Sequence, residues 1–219
     1  MAEEVSRIVP SNAYMDVVAS VMMVYSIPPI IEDADALVVF PGLGEYWRVN
    51  DAIYWWHQCF SDFFLVAGIN SNEKTWESLD IERLKQAPFF LKRMRGVETQ
   101  IYAANTKEQA EWVYEYVVAL GVEKLALFAS PFHCLRAYLT LLKIFINHGV
   151  EDVILIPAPT LVSPSRLIPE NQMSAWELVP GEVERIIKYQ AKGDVATREE
   201  LARYLKWLWK SLSRRMGLK

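Results

Sequence analysis

Apolar residues fall along this chain in two rhythms. Four short runs are continuously apolar: Ala36 to Phe40, Phe63 to Ala67, Leu125 to Ala129 and Val153 to Pro157; the short stretch Thr99 to Ala103 reads as a further strand, third in chain order. Runs of that length without alternation are expected of strands buried on both faces of a parallel sheet. Between and around them the apolar positions recur at helical spacing. The predicted helices cover residues 13–26, 46–60, 75–95 with a break near Pro88, 106–120, 132–148, 182–190 and 197–215. In the last of these Leu201, Tyr204, Leu205, Leu208 and Leu212 form the core-facing stripe. Strands alternating with helices predict a Rossmann-like α/β/α sandwich around a five-stranded, mostly parallel sheet. Right-handed crossovers leave two common strand orders, 3-2-1-4-5 and 2-1-3-4-5. The first is preferred, because it sets the loops after strands one and four side by side. Residues 1–35 form a helical lead-in, 36–157 the sheet domain, and 158–219 a proline-rich loop and closing helices on the same domain.

The organising stretch is KLALFASPFHCLRA, Lys124 to Ala137. Its strand stops at Ser130, and Pro131 follows. Serine at the N-cap with proline at the first helical position predicts a helix start. That junction lies at the carboxyl edge of the sheet, where open α/β folds bind ligands. The free N–H groups of a first helical turn favour an anion. His133 and Arg136, three residues apart, share one face of this helix. Ser130, His133 and Arg136 therefore converge on one candidate anion site, with His133 as a candidate general acid or base. The competing structural reading is a capped helix whose His and Arg face solvent.

Pro41-Gly42-Leu43-Gly44 follows the first strand and opens a helix whose first turn holds Arg48. Gly42 and Gly44 would let the backbone approach a ligand closely. The spacing is not a complete G-x-G-x-x-G, since Trp47 stands at the third position after Gly44. A tight strand–helix turn is the structural alternative. Asn105 and Thr106 open the helix after strand three, and Thr106 with Gln109 fits a capping box. The irregular segment from Ala158 to Gln172, with Ser163, Ser165 and Arg166, is long enough to be functional.

Composition narrows the classes. Of 219 residues 52% are hydrophobic and 23% charged, which a packed globular core requires and a disordered chain lacks. A net charge of −4 argues against a nucleic-acid binder working by bulk electrostatics. The basic residues Lys206, Lys210, Arg214, Arg215 and Lys219 read as a solvated helix face. Cys59 and Cys134 fit no metal spacing and suit a reducing compartment, with Cys134 a packed, inert thiol. No Asp/Glu or His cluster calls for a metal. The apolar stretch from Val17 to Ile31 is interrupted by Pro28-Pro29 and falls short of a membrane span, so no membrane anchor and a cytoplasmic location are expected.

Taken together, ALVVFPGLG, Arg48-x-x-x-Ala52, the N-T-x-x-Q-A of Asn105 to Ala110 and the S-P-F-H-x-x-R-A of Ser130 to Ala137 resemble the bacterial YdcF/SanA/ElyC family, a domain of unknown function. The match runs from about Ala36 to Pro157, and ERIIKYQAKGDVAT, Glu184 to Thr197, looks like the closing segment of its soluble members. The resemblance implies a Rossmann-like fold with a polar pocket at the carboxyl edge of the sheet. By position Gly42, Gly44, Arg48, Asn105, Thr106, Ser130, His133 and Arg136 match the family's polar motifs. The chain departs from the pattern at Gly68-Ile69-Asn70, where the family has S-G-G. The membrane anchor of the SanA and ElyC branches has no counterpart either, so an envelope role is not expected to carry over. The implied function is binding of a small anionic, nucleotide-like ligand, such as S-adenosylmethionine or a phosphorylated metabolite, by a transferase or hydrolase. The alternative is a non-catalytic scaffold or regulator that keeps the fold.

Overall fold

The computed structural model describes residues 11–69 and 77–215. The start of the helix expected from Thr75, the loop residues Asn70 to Asn72 and Lys219 lie outside them. Twelve elements follow in chain order: α1 (Ser11–Tyr25), β1 (Ala36–Val39), α2 (Tyr46–Gln58), β2 (Phe63–Val66), α3 (Ile81–Lys85), β3 (Val97–Thr99), α4 (Thr106–Leu120), β4 (Lys124–Ala129), α5 (Pro131–Asn147), β5 (Ile154–Pro159), α6 (Ala175–Lys192) and α7 (Arg198–Arg215).

The five strands form one sheet in the order β3-β2-β1-β4-β5, with every pairing parallel. Val38 lies between Leu65 on one side and Leu127 on the other. All four β1 residues are buried, as their unbroken apolar run requires. The order reverses direction between β1 and β4, so the loops leaving these two strands open a crevice at the carboxyl edge. Right-handed crossovers put α2 and α5 on opposite faces, which makes the three layers. The helix α1 packs on α5, α6 and α7. Among the described residues no helix is long and apolar enough to cross a membrane.

Several boundaries differ from the sequence reading, each for a physical reason. The helix expected over 75–95 contracts to the single turn of α3, capped by Asp80, whose Oδ1 accepts from the Arg83 N–H at 2.8 Å. Pro88 disfavours helical angles at the residue before it, and the buried Phe89 and Leu91 anchor a non-helical connection instead. The third strand runs over Val97–Thr99, and Tyr102 adds only an isolated bridge to Ile69. The helix expected from Glu182 begins at Ala175, with Pro180 inside it. A full capping box between Ser174 and Glu177 starts that helix about two turns earlier. The bond that Pro180 cannot make falls at the exposed Trp176, where water can satisfy the carbonyl.

The cap of α4 is also corrected. Asn105, not Thr106, is the N-cap: its Oδ1 accepts from the N–H groups of Lys107 at 2.9 Å and Glu108 at 3.1 Å. Glu108, not Gln109, reaches back, accepting from the Ala104 N–H at 2.7 Å. Asn105→Ala is therefore expected to cost about 1 kcal/mol in urea unfolding, by loss of the cap. Thr106→Ala should leave α4 capped; an equal loss in both variants would restore Thr106 as the cap.

Candidate functional site

The crevice at the β1/β4 switch holds a cavity of about 330 Å³. Its walls come from the β1–α2 loop, the starts of α2, α4 and α5, the loop before α6, and one face of α6. Three helix N-termini thus face one space, which is the arrangement that favours negative charge.

The glycines act differently from one another. Gly42 lines the cavity, and a Cβ there would sit 2.1 Å from the Glu45 Oε1. Its bare backbone therefore makes room for a buried carboxylate of the protein itself. Gly44 has φ +68°, and a Cβ on it would lie 2.8 Å from Pro169. It fixes the turn and the approach of the loop before α6.

Glu45 and Arg48 are a fully buried ion pair. The Arg48 Nη2 donates to Glu45 Oε1 at 2.5 Å, its Nε to Glu45 Oε2 at 2.8 Å, and its Nη1 to the Phe40 carbonyl at 3.0 Å. Ser130 closes the cluster. Its hydroxyl donates to Glu45 Oε2 at 2.7 Å and accepts from Arg48 Nε at 2.8 Å and Trp47 Nε1 at 2.9 Å. Ser130 is the N-cap residue of α5, yet its side chain makes no capping bond and lies wholly buried behind the cavity wall. Ser130, Glu45 and Arg48 bolt the ends of β1 and β4 to the starts of α2 and α5.

Across the cavity a second cluster centres on Glu182, which is buried. The Arg136 Nε donates to its Oε2 at 2.5 Å and Nη2 to its Oε1 at 3.2 Å, while Nη1 donates to Thr106 Oγ1 at 2.9 Å. The Arg185 Nη1 donates to the same Glu182 Oε1 at 2.7 Å and keeps its side chain 48% exposed at the mouth. Two guanidinium groups on one carboxylate leave a net positive charge. The bonds to His133 and Arg136 outweigh burial and hold the Glu182 carboxyl well below the usual carboxylate range.

His133 lines the cavity with only 6% of its surface exposed. Its Nδ1 faces Glu182 Oε2 at 3.6 Å. Burial, then the charges of Arg136 and Arg48, push its pKa down to about 3 against the pull of Glu182, so the imidazole is neutral near pH 7. Cys134, next to it, is sealed in the core, and burial pushes its thiol up to about 12, an inert group.

The structure thus brings Gly42, Arg48, Asn105, Thr106, His133 and Arg136 to the lining of one cavity, and leaves Gly44 and Ser130 outside that lining. Sequence reasoning missed Glu45, Glu182 and Arg185. A signal for Glu182 was present: Leu178, Glu182 and Ile186 recur every fourth residue, which puts one carboxylate in the middle of the buried face of α6. Arg166, in the proline-rich segment, lies over Trp47 with its guanidinium 5.0 Å from the ring centroid. The same segment contributes Ile168, Glu170 and Asn171 to the cavity. Among the described residues no group of three or more His, Cys, Asp or Glu side chains could hold a metal ion. The chain matches no known family model and no curated protein.

Proposed function

We propose that this chain binds a small anionic, nucleotide-like ligand in the cavity at the carboxyl edge of the sheet. One observation carries the reading: the buried Glu182 is shared by Arg136 and Arg185, so one wall of a 330 Å³ cavity presents two guanidinium groups on a single carboxylate. Arg136 has spare N–H groups beyond those given to Glu182 and Thr106, and a guanidinium grips an oxyanion with two parallel bonds. The starts of α4 and α5 add partial positive charge to the same wall.

S-adenosylmethionine is a ligand of this kind. Its carboxylate suits Arg136 and Arg185. A phosphorylated metabolite, as the substrate of a transferase or hydrolase, uses the same wall. The resemblance to the YdcF/SanA/ElyC family points the same way, and we read the chain as a YdcF-like member of it. A cytoplasmic location goes with this reading, supported by the two free thiols of Cys59 and Cys134.

The test is a thermal-shift screen of S-adenosylmethionine, nucleotides and sugar phosphates, followed by titration of wild type, Arg136→Lys and Arg136→Ala. A ligand at about 100 times its Kd adds about 2.7 kcal/mol of stability. Arg136→Lys is expected to weaken binding, because a point charge does not replace the planar fork. Arg136→Ala is expected to abolish it with the fold intact. Unchanged affinity in Arg136→Ala would place the anion elsewhere.

A further inference from the structure

We infer that the ligand of this cavity carries a hydrogen-bond donor, a hydroxyl or N–H a few bonds from its anionic group, and that the Nε2 of His133 receives it. This rests on the anion-site reading above and deepens it. It narrows the ligand to a hydroxylated anion, such as a sugar phosphate or a nucleotide with its ribose hydroxyls, and excludes a bare anion.

The argument starts from the imidazole's surroundings. A carboxylate only accepts hydrogen bonds, so the ring nitrogen facing Glu182 Oε2, Nδ1 at 3.6 Å, is the one that bears the proton. A neutral imidazole has one N–H, and Nε2 is then a bare acceptor. No described residue donates a hydrogen bond to Nε2, and the ring lines the cavity. An acceptor left open on the wall of a cavity is a place for a group from outside. The charged groups that face His133 keep it an acceptor. Arg136 on its own helix and Arg48 from α2 oppose a proton, and the carboxylate that faces the ring, Glu182 of α6, is already bonded by Arg136 and Arg185.

Spacing supplies the geometry. His133 and Arg136 are one helical turn apart, with Cβ atoms roughly 5–6 Å from each other. An anion held by Arg136 therefore puts its neighbouring carbons, and any hydroxyl on them, beside the imidazole. A phosphate or carboxylate oxygen placed against Nε2 would meet a lone pair instead of a donor. Glu182 acts through His133 and is a positioning residue.

The experiment is calorimetric titration at about pH 8, where phosphate monoesters are fully ionised, with two matched pairs. One is sn-glycerol 3-phosphate and propyl phosphate; the other is adenosine 5′-monophosphate and its 2′,3′-dideoxy analogue. In at least one pair the hydroxylated member is expected to bind about tenfold more tightly, the usual worth of one hydrogen bond to a buried acceptor. That ratio should fall to near one in His133→Phe and survive in part in His133→Gln, whose amide oxygen is still an acceptor. Titration in two buffers of different ionisation enthalpy should show no net proton uptake. Equal affinities within both pairs, an unchanged ratio in His133→Phe, or uptake of about one proton per ligand would overturn the inference while the anion site stands. If no member of either pair binds, the anion site falls and the inference with it. Should His133→Phe not fold, the wild-type ratio and proton count decide by themselves.

Discussion

Lowering the pH from 6.5 to 5 is expected to destabilise the protein by about 2 kcal/mol through His133, and His133→Phe should remove that part of the loss. In the folded chain His133 takes a proton only near pH 3, whereas its ordinary value is 6.5. Between these values the unfolded chain binds one more proton than the folded one. Stability therefore rises with pH across the window, and falls as acid is added, by about 1.4 kcal/mol per pH unit. His57 also has a lowered pKa, through burial and then Lys92 and Arg93, and gives a slope of the same sign. The diagnostic quantity is accordingly the difference between wild type and His133→Phe. Below the ordinary carboxylate range Glu182 adds its own loss, since its pKa is depressed and its stabilisation is present only while it is ionised. Urea unfolding at pH 5, 5.75 and 6.5, spaced over roughly this window, measures the slope. Equal slopes in the two proteins would mean that His133 is not the buried neutral base described above.

The same pKa changes an expectation drawn from the sequence. A surface imidazole after a Ser-Pro helix start would titrate between about pH 8 and 6, and anion binding would strengthen across that range. Burial, with the charges of Arg136 and Arg48, moves the empty site's titration out of the range, so His133 should give binding no such trend. Burial at this position was not legible, because α6 and the loop before it, which cover His133, lie some fifty residues away in sequence.

What could be read from the chain is what depends on local pattern. The four apolar runs coincide with strands, whereas β3 ends at Thr99, where the stretch read as the third strand begins; placing the Gly42 loop beside Ser130 selects the observed strand order. His133, Arg136, Thr106 and Asn105 meet at one cavity because each follows a strand at the carboxyl edge. What escaped depends on tertiary charge pairing. Nothing in PGLGE marks Gly42 as the seat of the Glu45 carboxylate, and the Ser130 hydroxyl was read as a cap when Arg48, Trp47 and Glu45 compete for it. Thr106 was read as a cap for a similar reason. Asn105 is the better acceptor at that position, and it leaves the Thr106 hydroxyl for Arg136. Proline acts in two ways: helical structure is broken before Pro88, as expected, while Pro180 is carried inside α6.

Arg48→Met is expected to cost about 3–5 kcal/mol, the largest single effect at this site, although Arg48 sits on the cavity wall. Its guanidinium and the Glu45 carboxylate are both almost wholly buried and lie 2.5 Å apart. Removing the cation leaves a buried anion whose remaining donor is Ser130, and it also frees the Phe40 carbonyl at the end of β1. A buried pair contributes little over a well-packed apolar pair of similar size, whereas half of a pair is strongly unfavourable. The double variant Arg48→Met/Glu45→Leu should therefore recover at least half of the loss. It should also retain the ligand found in the thermal-shift screen, because the bonds of Arg48 are to Glu45, Ser130 and Phe40, and the two guanidinium groups that share Glu182 are those of Arg136 and Arg185. Urea unfolding and titration of the three proteins separate the two roles. A cost below about 1 kcal/mol for Arg48→Met, in the range of exposed pairs, would show the pair to be solvated. A stable double variant that no longer binds the ligand would make Arg48 part of the anion site, with Glu45 as its resting partner.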